Sequence, residues 1–218
     1  MADAPNPIAE HDHNFQHHLA YEDLRGWIAE TERLGELRNV EGASWEQDIG
    51  LACTLMKYSE DAPALLFDDI PGCGKGFRVI ANIFGRKRKS MTLGFPTDLS
   101  KMELSEAWAG AYSHDDRDLI PPAFVDDGPI FENFQMGDDI NLEMFPAPIW
   151  HDGDGGRYIG TGSYNVTEDP DTRWLNLGTY RIMVKDAKTV PSIPGLASME
   201  GCISKSMRRA ARRLRWSW

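Results

Sequence analysis

The chain has 218 residues, 41% of them hydrophobic and 26% charged, the balance of a folded chain of one or two domains rather than a disordered or collagen-like one. No run of about 18 apolar residues occurs and no basic-then-apolar leader opens the chain, so a cytoplasmic protein without a membrane partner is expected. The net charge of −11 conceals an asymmetry: residues 1–188 hold 17 basic and 33 acidic side chains, whereas residues 189–218 hold six basic and one acidic. An acidic body offers no phosphate-binding face, which excludes nucleic acid as an expected partner. Cys53, Cys73 and Cys202 are too widely spaced for a zinc site or a disulfide framework and read as free thiols.

In chain order, His11, His13, His17 and His18 fall in a polar arm, residues 1–20, with no framework to hold a metal. Leu24, Trp27, Ile28 and Leu34 then recur at helical spacing, and Gly35 suits a left-handed cap. A strand is expected over Glu36–Val40, and a capping box, Ser44 with Gln47, opens a helix carrying Ile49, Ala52, Leu55 and Met56. Ala64–Phe67 and Arg78–Phe84 read as strands around the turn-rich Pro71–Gly76, which lacks the Ser or Thr of a phosphate loop. Arg86–Lys89 reads as a solvated basic patch, and Ser100 with Glu103 caps a helix bearing Leu104, Ala107, Trp108 and Ala111. The N-terminal α/β domain is thus drawn over residues 21–112, an acidic, proline-bearing connector over 113–129, and strand-and-turn territory over 130–190. There Ile130–Gln135, Tyr158–Thr161, Ser163–Thr167 and Trp174–Val184 are β-prone, with a turn at Glu168–Asp171.

Several apparent motifs dissolve. Asp152–Gly156 lacks the bidentate Glu of a calcium loop and reads as a hairpin turn, and Asn165-Val-Thr167 matches a glycosylation triplet without an export signal. One run resists a purely structural reading. Trp174–Arg181 interleaves an amide, a glycine, a phenol and a guanidinium where a plain strand would alternate aliphatic and solvated side chains. Asn supplies a neutral oxygen to a hard cation, Gly admits a ligand close to backbone, and Arg clamps a carboxylate or phosphate with two bonds. In an unbroken strand Asn176 and Arg181 face opposite ways, so a bulge or bend at Gly178 is expected. An ordinary strand with an exposed Arg is the competing reading.

Together with Gly156–Gly162, Thr167–Asp171, Pro63–Phe67 and Asn82–Arg86, this run resembles the UbiD-type (de)carboxylases that use prenylated FMN, the resemblance covering about residues 20–190. It implies an α/β (α+β) fold, an N-terminal helix–strand domain followed by an incomplete split β-barrel flavin-binding domain. It further implies that Asn176 helps hold a divalent cation, manganese or magnesium with potassium beside it. Asn176, Leu177, Gly178, Thr179, Tyr180 and Arg181 would line the prenylated flavin, and Arg181 would be the catalytic residue at the substrate carboxylate. The implied reaction is non-oxidative, reversible decarboxylation of aromatic or α,β-unsaturated acids, the cofactor coming from a flavin prenyltransferase and the parent enzyme being a homo-oligomer.

The resemblance stops after Thr189-Val190. The family's second metal ligand, a His about 23 residues beyond the Asn, meets Met199 here, yet codons permitted for Ala197–Gly201 encode Gly-Lys-His-Gly-Arg when read one base earlier. Residues 191–218 are therefore expected to be an out-of-frame basic tail on a truncated and impaired enzyme. The alternative is a non-catalytic fragment or binding module that keeps part of the flavin site.

Overall fold

The computed structural model describes residues 19–59, 61–111, 123, 125–160 and 163–191. The histidine arm, most of the acidic connector and the basic tail with Met199 lie outside them. The elements run α1 Leu24–Arg33, β1 Leu37–Glu41, α2 Asp48–Met56, β2 Ala64–Asp68, β3 Val79–Ala81, α3 Arg86–Thr92, α4 Lys101–Ala111, then β4 Arg157–Gly160, β5 Tyr164–Glu168, β6 Leu175–Thr179 and β7 Ile182–Val184. By contacts the chain forms two compact units, one of residues 1–39, 56–66 and 80–132, the other of 40–55, 67–79 and 133–218. The second unit therefore draws segments from the part of the sequence assigned above to the N-terminal domain. None of the helices among the described residues is long and apolar enough to cross a membrane.

Asp23 caps α1, its carboxylate accepting from Gly26 N at 2.8 Å, and Gly35 ends it at φ +72°. The face α1 buries differs slightly from the expected stripe. Trp27 and Thr31 are buried, whereas Leu24, one turn nearer the N-terminus, is exposed. Trp27 Nε1 donates to Thr92 Oγ1 at 2.8 Å and Thr31 Oγ1 to Trp27 O at 2.8 Å, so the polar atoms carried inward are satisfied. Trp27 packs with Leu37, Ala64, Leu66 and Met91 in the core of the first unit.

β1, β2 and β3 form one sheet in that order, and the middle strand is buried along Ala64–Phe67, which explains its unbroken apolar run. β3 is shorter than expected because Asn82 turns left-handed at φ +56° and sends Nδ2 to the carbonyls of Ala62 and Pro63 at 3.1 and 2.9 Å. The expected Ser44 box is also corrected: Ser44 exchanges bonds with Asp48, not Gln47, its N–H donating to Asp48 Oδ2 at 2.9 Å. Ser100 and Glu103 do form the box expected of them.

Arg86, Lys87 and Lys89 are exposed, as a solvated basic patch requires, and Arg88 is the exception. The run is the first turn of α3, and Arg88 is wholly buried, donating to Glu36 Oε2 at 2.6 Å, Ala62 O at 2.7 Å and Asn82 O at 3.1 Å. Residues Ile130–Gln135 are not a strand. Pro129–Phe131 makes one 3-10 turn, Pro129 supplying a pre-set φ at its start, and Ile130, Phe131 and Phe134 are exposed.

Candidate active site

The long strand expected over Trp174–Val184 is two strands in two sheets. β6 pairs antiparallel with β5, and β7 pairs antiparallel with β4. Asp169 builds the turn that joins β5 to β6, its Oδ1 accepting from the backbone N–H groups of Asp171 and Thr172 at 2.8 and 3.1 Å. Those bonds hold its carboxyl below the ordinary aspartate range. Arg173 follows in the left-handed region at φ +62°, with its Nε 2.6 Å from Glu168 Oε1.

In the hairpin Thr167 stands opposite Asn176, Asn165 opposite Gly178, Val166 opposite Leu177 and Tyr164 opposite Thr179. Opposed residues share a face, so Asn165, Thr167, Asn176 and Gly178 line one side and Tyr164, Val166, Leu177 and Thr179 the other. The polar side is the buried one, Asn165 at 4% and Thr167 at 1% exposure. The apolar side is open, with Tyr164 at 71% and Leu175 and Leu177 each at 63%. That inversion is what a strand pair shows when its apolar face serves something other than its own core.

Asn176 Nδ2 lies 3.4 Å from Thr167 Oγ1, a use that reserves the amide oxygen for an acceptor or ligand role. Gly178 keeps its ladder position without a bulge, and a Cβ there would overlap the ring of Tyr180. The break falls two residues later than expected. Tyr180 and Arg181 step out of β6 before Ile182 enters β7, and Arg181 is exposed within that step. Asn176, Gly178 and the Tyr180 ring thus come together on the inner side, while Leu177 and Thr179 lie on the open one.

Two residues of this unit escaped sequence reasoning. Asn165 sends Nδ2 to Tyr180 O at 3.1 Å, and its only sequence signals are a polar residue in a β-prone run and a glycosylation triplet that dissolves without an export signal. Arg157 lies over the Trp45 ring at 4.1 Å and donates to the carbonyls of Phe145 and Ala147 at 2.8 and 3.0 Å. Separately, a cavity of about 720 Å³ lies in the same unit between the start of α2 and residues 149–154, and it includes none of the expected site residues. Cys53 is half-buried and burial pushes its thiol up to about 11, as an unreactive thiol requires.

The open side of β5–β6 carries Tyr164, Leu175 and Leu177 and leads to the exposed Arg181, a fit for one face of an isoalloxazine ring system, whereas the Asn176 amide lies on the inner side. A divalent cation fits less well. Among the described residues no three His, Cys, Asp or Glu side chains converge as a metal site requires, and Asn176 brings a single neutral oxygen.

Residues 28–108 match the 3-octaprenyl-4-hydroxybenzoate carboxy-lyase N-terminal domain, and residues 124–217 match the Rift-related domain of the same carboxy-lyase. The chain belongs to the UbiD family. The second match runs past Val190, through the segment expected to be out of frame. Pyrrole-2-carboxylic acid decarboxylase of Pseudomonas aeruginosa is 29% identical over 208 residues, which is 89% of this chain and 40% of that protein. The closed form of vanillic acid decarboxylase from Sedimentibacter hydroxybenzoicus superposes with a TM-score of 0.79 at 28% identity, over 89% of this chain and 41% of that one. The UbiD-class enzyme HmfF from Pelotomaculum thermopropionicum, solved in complex with prFMN, shares the fold at a TM-score of 0.69 and 23% identity, over 88% and 42% of the two chains. The chain therefore spans about two fifths of the length of the relatives it matches.

Proposed function

We propose that this chain contributes to the non-oxidative decarboxylation of an aromatic or heteroaromatic carboxylic acid on prenylated FMN, with the flavin laid along Asn176–Arg181. The observation that carries the reading is the β5–β6 hairpin, which opens an apolar face to solvent and ends in an exposed Arg181. Bound there, prenylated FMN would supply the electron sink for the carbon that loses its carboxylate. The chain's own part is to bind and orient. Leu175 and Leu177 offer the platform, and the planar guanidinium of Arg181 pairs with the substrate carboxylate through two parallel bonds. Asn176 would serve the phosphate-anchoring cation only if further ligands joined it, so no step is assigned to a metal.

The test is co-expression of the 218-residue chain with a flavin prenyltransferase, followed by the flavin spectrum of the purified protein and CO₂ release from pyrrole-2-carboxylate and vanillate. Retained flavin with CO₂ release that Arg181→Ala removes is the expected result. The absence of bound flavin would favour the second reading, a non-catalytic fragment or binding module, which the lack of a convergent metal site among the described residues supports. The out-of-frame reading of residues 191–218 is part of the proposal, and sequencing the gene around codon 190 tests it against the family match that runs to residue 217.

A further inference from the structure

We propose that Asn165 is a positioning residue for Arg181, a role that rests on the reading of Arg181 as the carboxylate partner. The step between β6 and β7 is two residues long, and its first carbonyl, that of Tyr180, belongs to neither ladder. Asn165 reaches that carbonyl from β5 with Nδ2 at 3.1 Å. A carbonyl only accepts, so the amide nitrogen must face it. The reach is open because Asn165 stands opposite Gly178, whose missing side chain leaves the space that the Tyr180 ring takes; a Cβ on Gly178 would come within 2.9 Å of both Tyr180 Cζ and its hydroxyl.

The consequence for Arg181 follows from peptide planarity. The C=O of Tyr180 and the N–H of Arg181 are one rigid unit, so holding the oxygen fixes the orientation in which the chain enters Arg181. On the far side Ile182 is buried at 3% and paired opposite Gly160. The Arg181 backbone is thus anchored on both sides while its side chain is exposed. A guanidinium carried on a backbone with one allowed entry loses less freedom when it pairs with a carboxylate, which is the physical content of preorganisation. Asn165 itself, 4% exposed, does not meet the substrate.

The sequence supplies a probe, because Tyr180-Arg181 is the only Tyr-Arg pair in the chain. Labelling the tyrosine carbonyls with ¹³C and the arginines with ¹⁵N gives one carbonyl–amide NMR signal, that of this peptide unit. Benzoate titrated into the unaltered chain should move it saturably. Asn165→Leu, branched at the same atom and without a donor, should shift the Tyr180 carbonyl signal upfield and weaken benzoate by about tenfold. Asn165→Asp, without an N–H, should do the same, which guards against a folding defect peculiar to Leu. Arg157→Lys loosens the same unit through the Trp45 contact and should leave both the signal and the benzoate affinity in place. If benzoate binds the unaltered chain and Arg181→Ala weakens it, yet both Asn165 variants bind as before, the positioning role is overturned. If benzoate leaves the signal unmoved, or Arg181→Ala binds it undiminished, the reading of Arg181 fails first and takes the inference with it.

Discussion

Arg88 shows what a single side chain does in this fold. Its guanidinium is buried, and burial pulls it below the ordinary arginine range while Glu36 opposes the shift. It ties the Glu36 carboxylate to the carbonyls of Ala62 and Asn82, three points that are distant in sequence. A Cβ on Gly85 would overlap this guanidinium, so glycine is required there for space, its φ of −64° being open to any residue. Arg88→Met should remove the buried partner of Glu36, which keeps Lys87 at 3.6 Å, and the Arg88 donor to Asn82 O, while Ala62 O keeps Asn82 Nδ2, and should cost about 1–3 kcal/mol in denaturant unfolding. Gly85→Ala should also destabilise, and the two changes together should cost less than their sum, because Met vacates the space the Cβ needs.

Asp48 makes a pH prediction of definite sign. Its carboxylate accepts from the Ser44 N–H and bonds to the Ser44 hydroxyl, and both interactions hold its carboxyl below the ordinary range. A depressed folded-state value contributes stability above the unfolded value of about pH 4, lost as pH falls through the folded one. Melting temperatures of the chain and of Asp48→Asn, measured from pH 7 down to pH 2.5, should therefore differ at neutral pH and converge in acid. A constant gap across that range would place the effect in packing.

At the scale of elements, glycines separate strain from crowding. Gly50, in α2, is pressed against the carbonyls of Ile149 and Trp150, where a Cβ would lie 2.5 and 2.6 Å from their oxygens. Backbone cannot rotate aside as a side chain can, so Gly50→Ala should cost about 1–3 kcal/mol. Gly35→Ala meets open space but a φ of +72°, and should cost about 1 kcal/mol. Gly110→Ala in α4 meets neither and should stabilise by up to about 1 kcal/mol. Thermal melts of the three variants should rank in that order. The same three residues are indistinguishable as letters in a helix or cap, because what crowds Gly50 comes from a segment one hundred residues away.

At the largest scale, several big apolar side chains among the described residues stand open to solvent. Tyr164, Leu175 and Leu177 on the hairpin, and Ile130, Phe131 and Phe134 before it, are all more than half exposed. Such faces bind hydrophobic dyes and favour association. Leu175→Lys with Leu177→Lys should lower dye fluorescence and the concentration dependence of sedimentation, and an unchanged profile would show that the hairpin face is not what associates.

Local chemistry was enough to predict α1 and its Gly35 cap, the Ser100–Glu103 box, the buried run of β2 and the turn at Glu168–Asp171, because each rests on groups a few residues apart. The Asn176–Arg181 run stands out in the sequence because its residue types depart from what a plain strand needs, and its role rests on the proposed function. Tertiary structure decided the rest. Arg88 looked solvated because its partners come from the residue before β1, the loop before β2 and the residue after β3, which no local pattern contains. The expected single strand over Trp174–Val184 divides because Leu175–Thr179 and Ile182–Val184 find different partners, β5 and β4. Asn165 became meaningful only when antiparallel pairing set it opposite Gly178 and within reach of the Tyr180 carbonyl. Hydrogen-bond partners separated by a strand and a turn are chosen by register, and register is a property of the folded pair rather than of either segment.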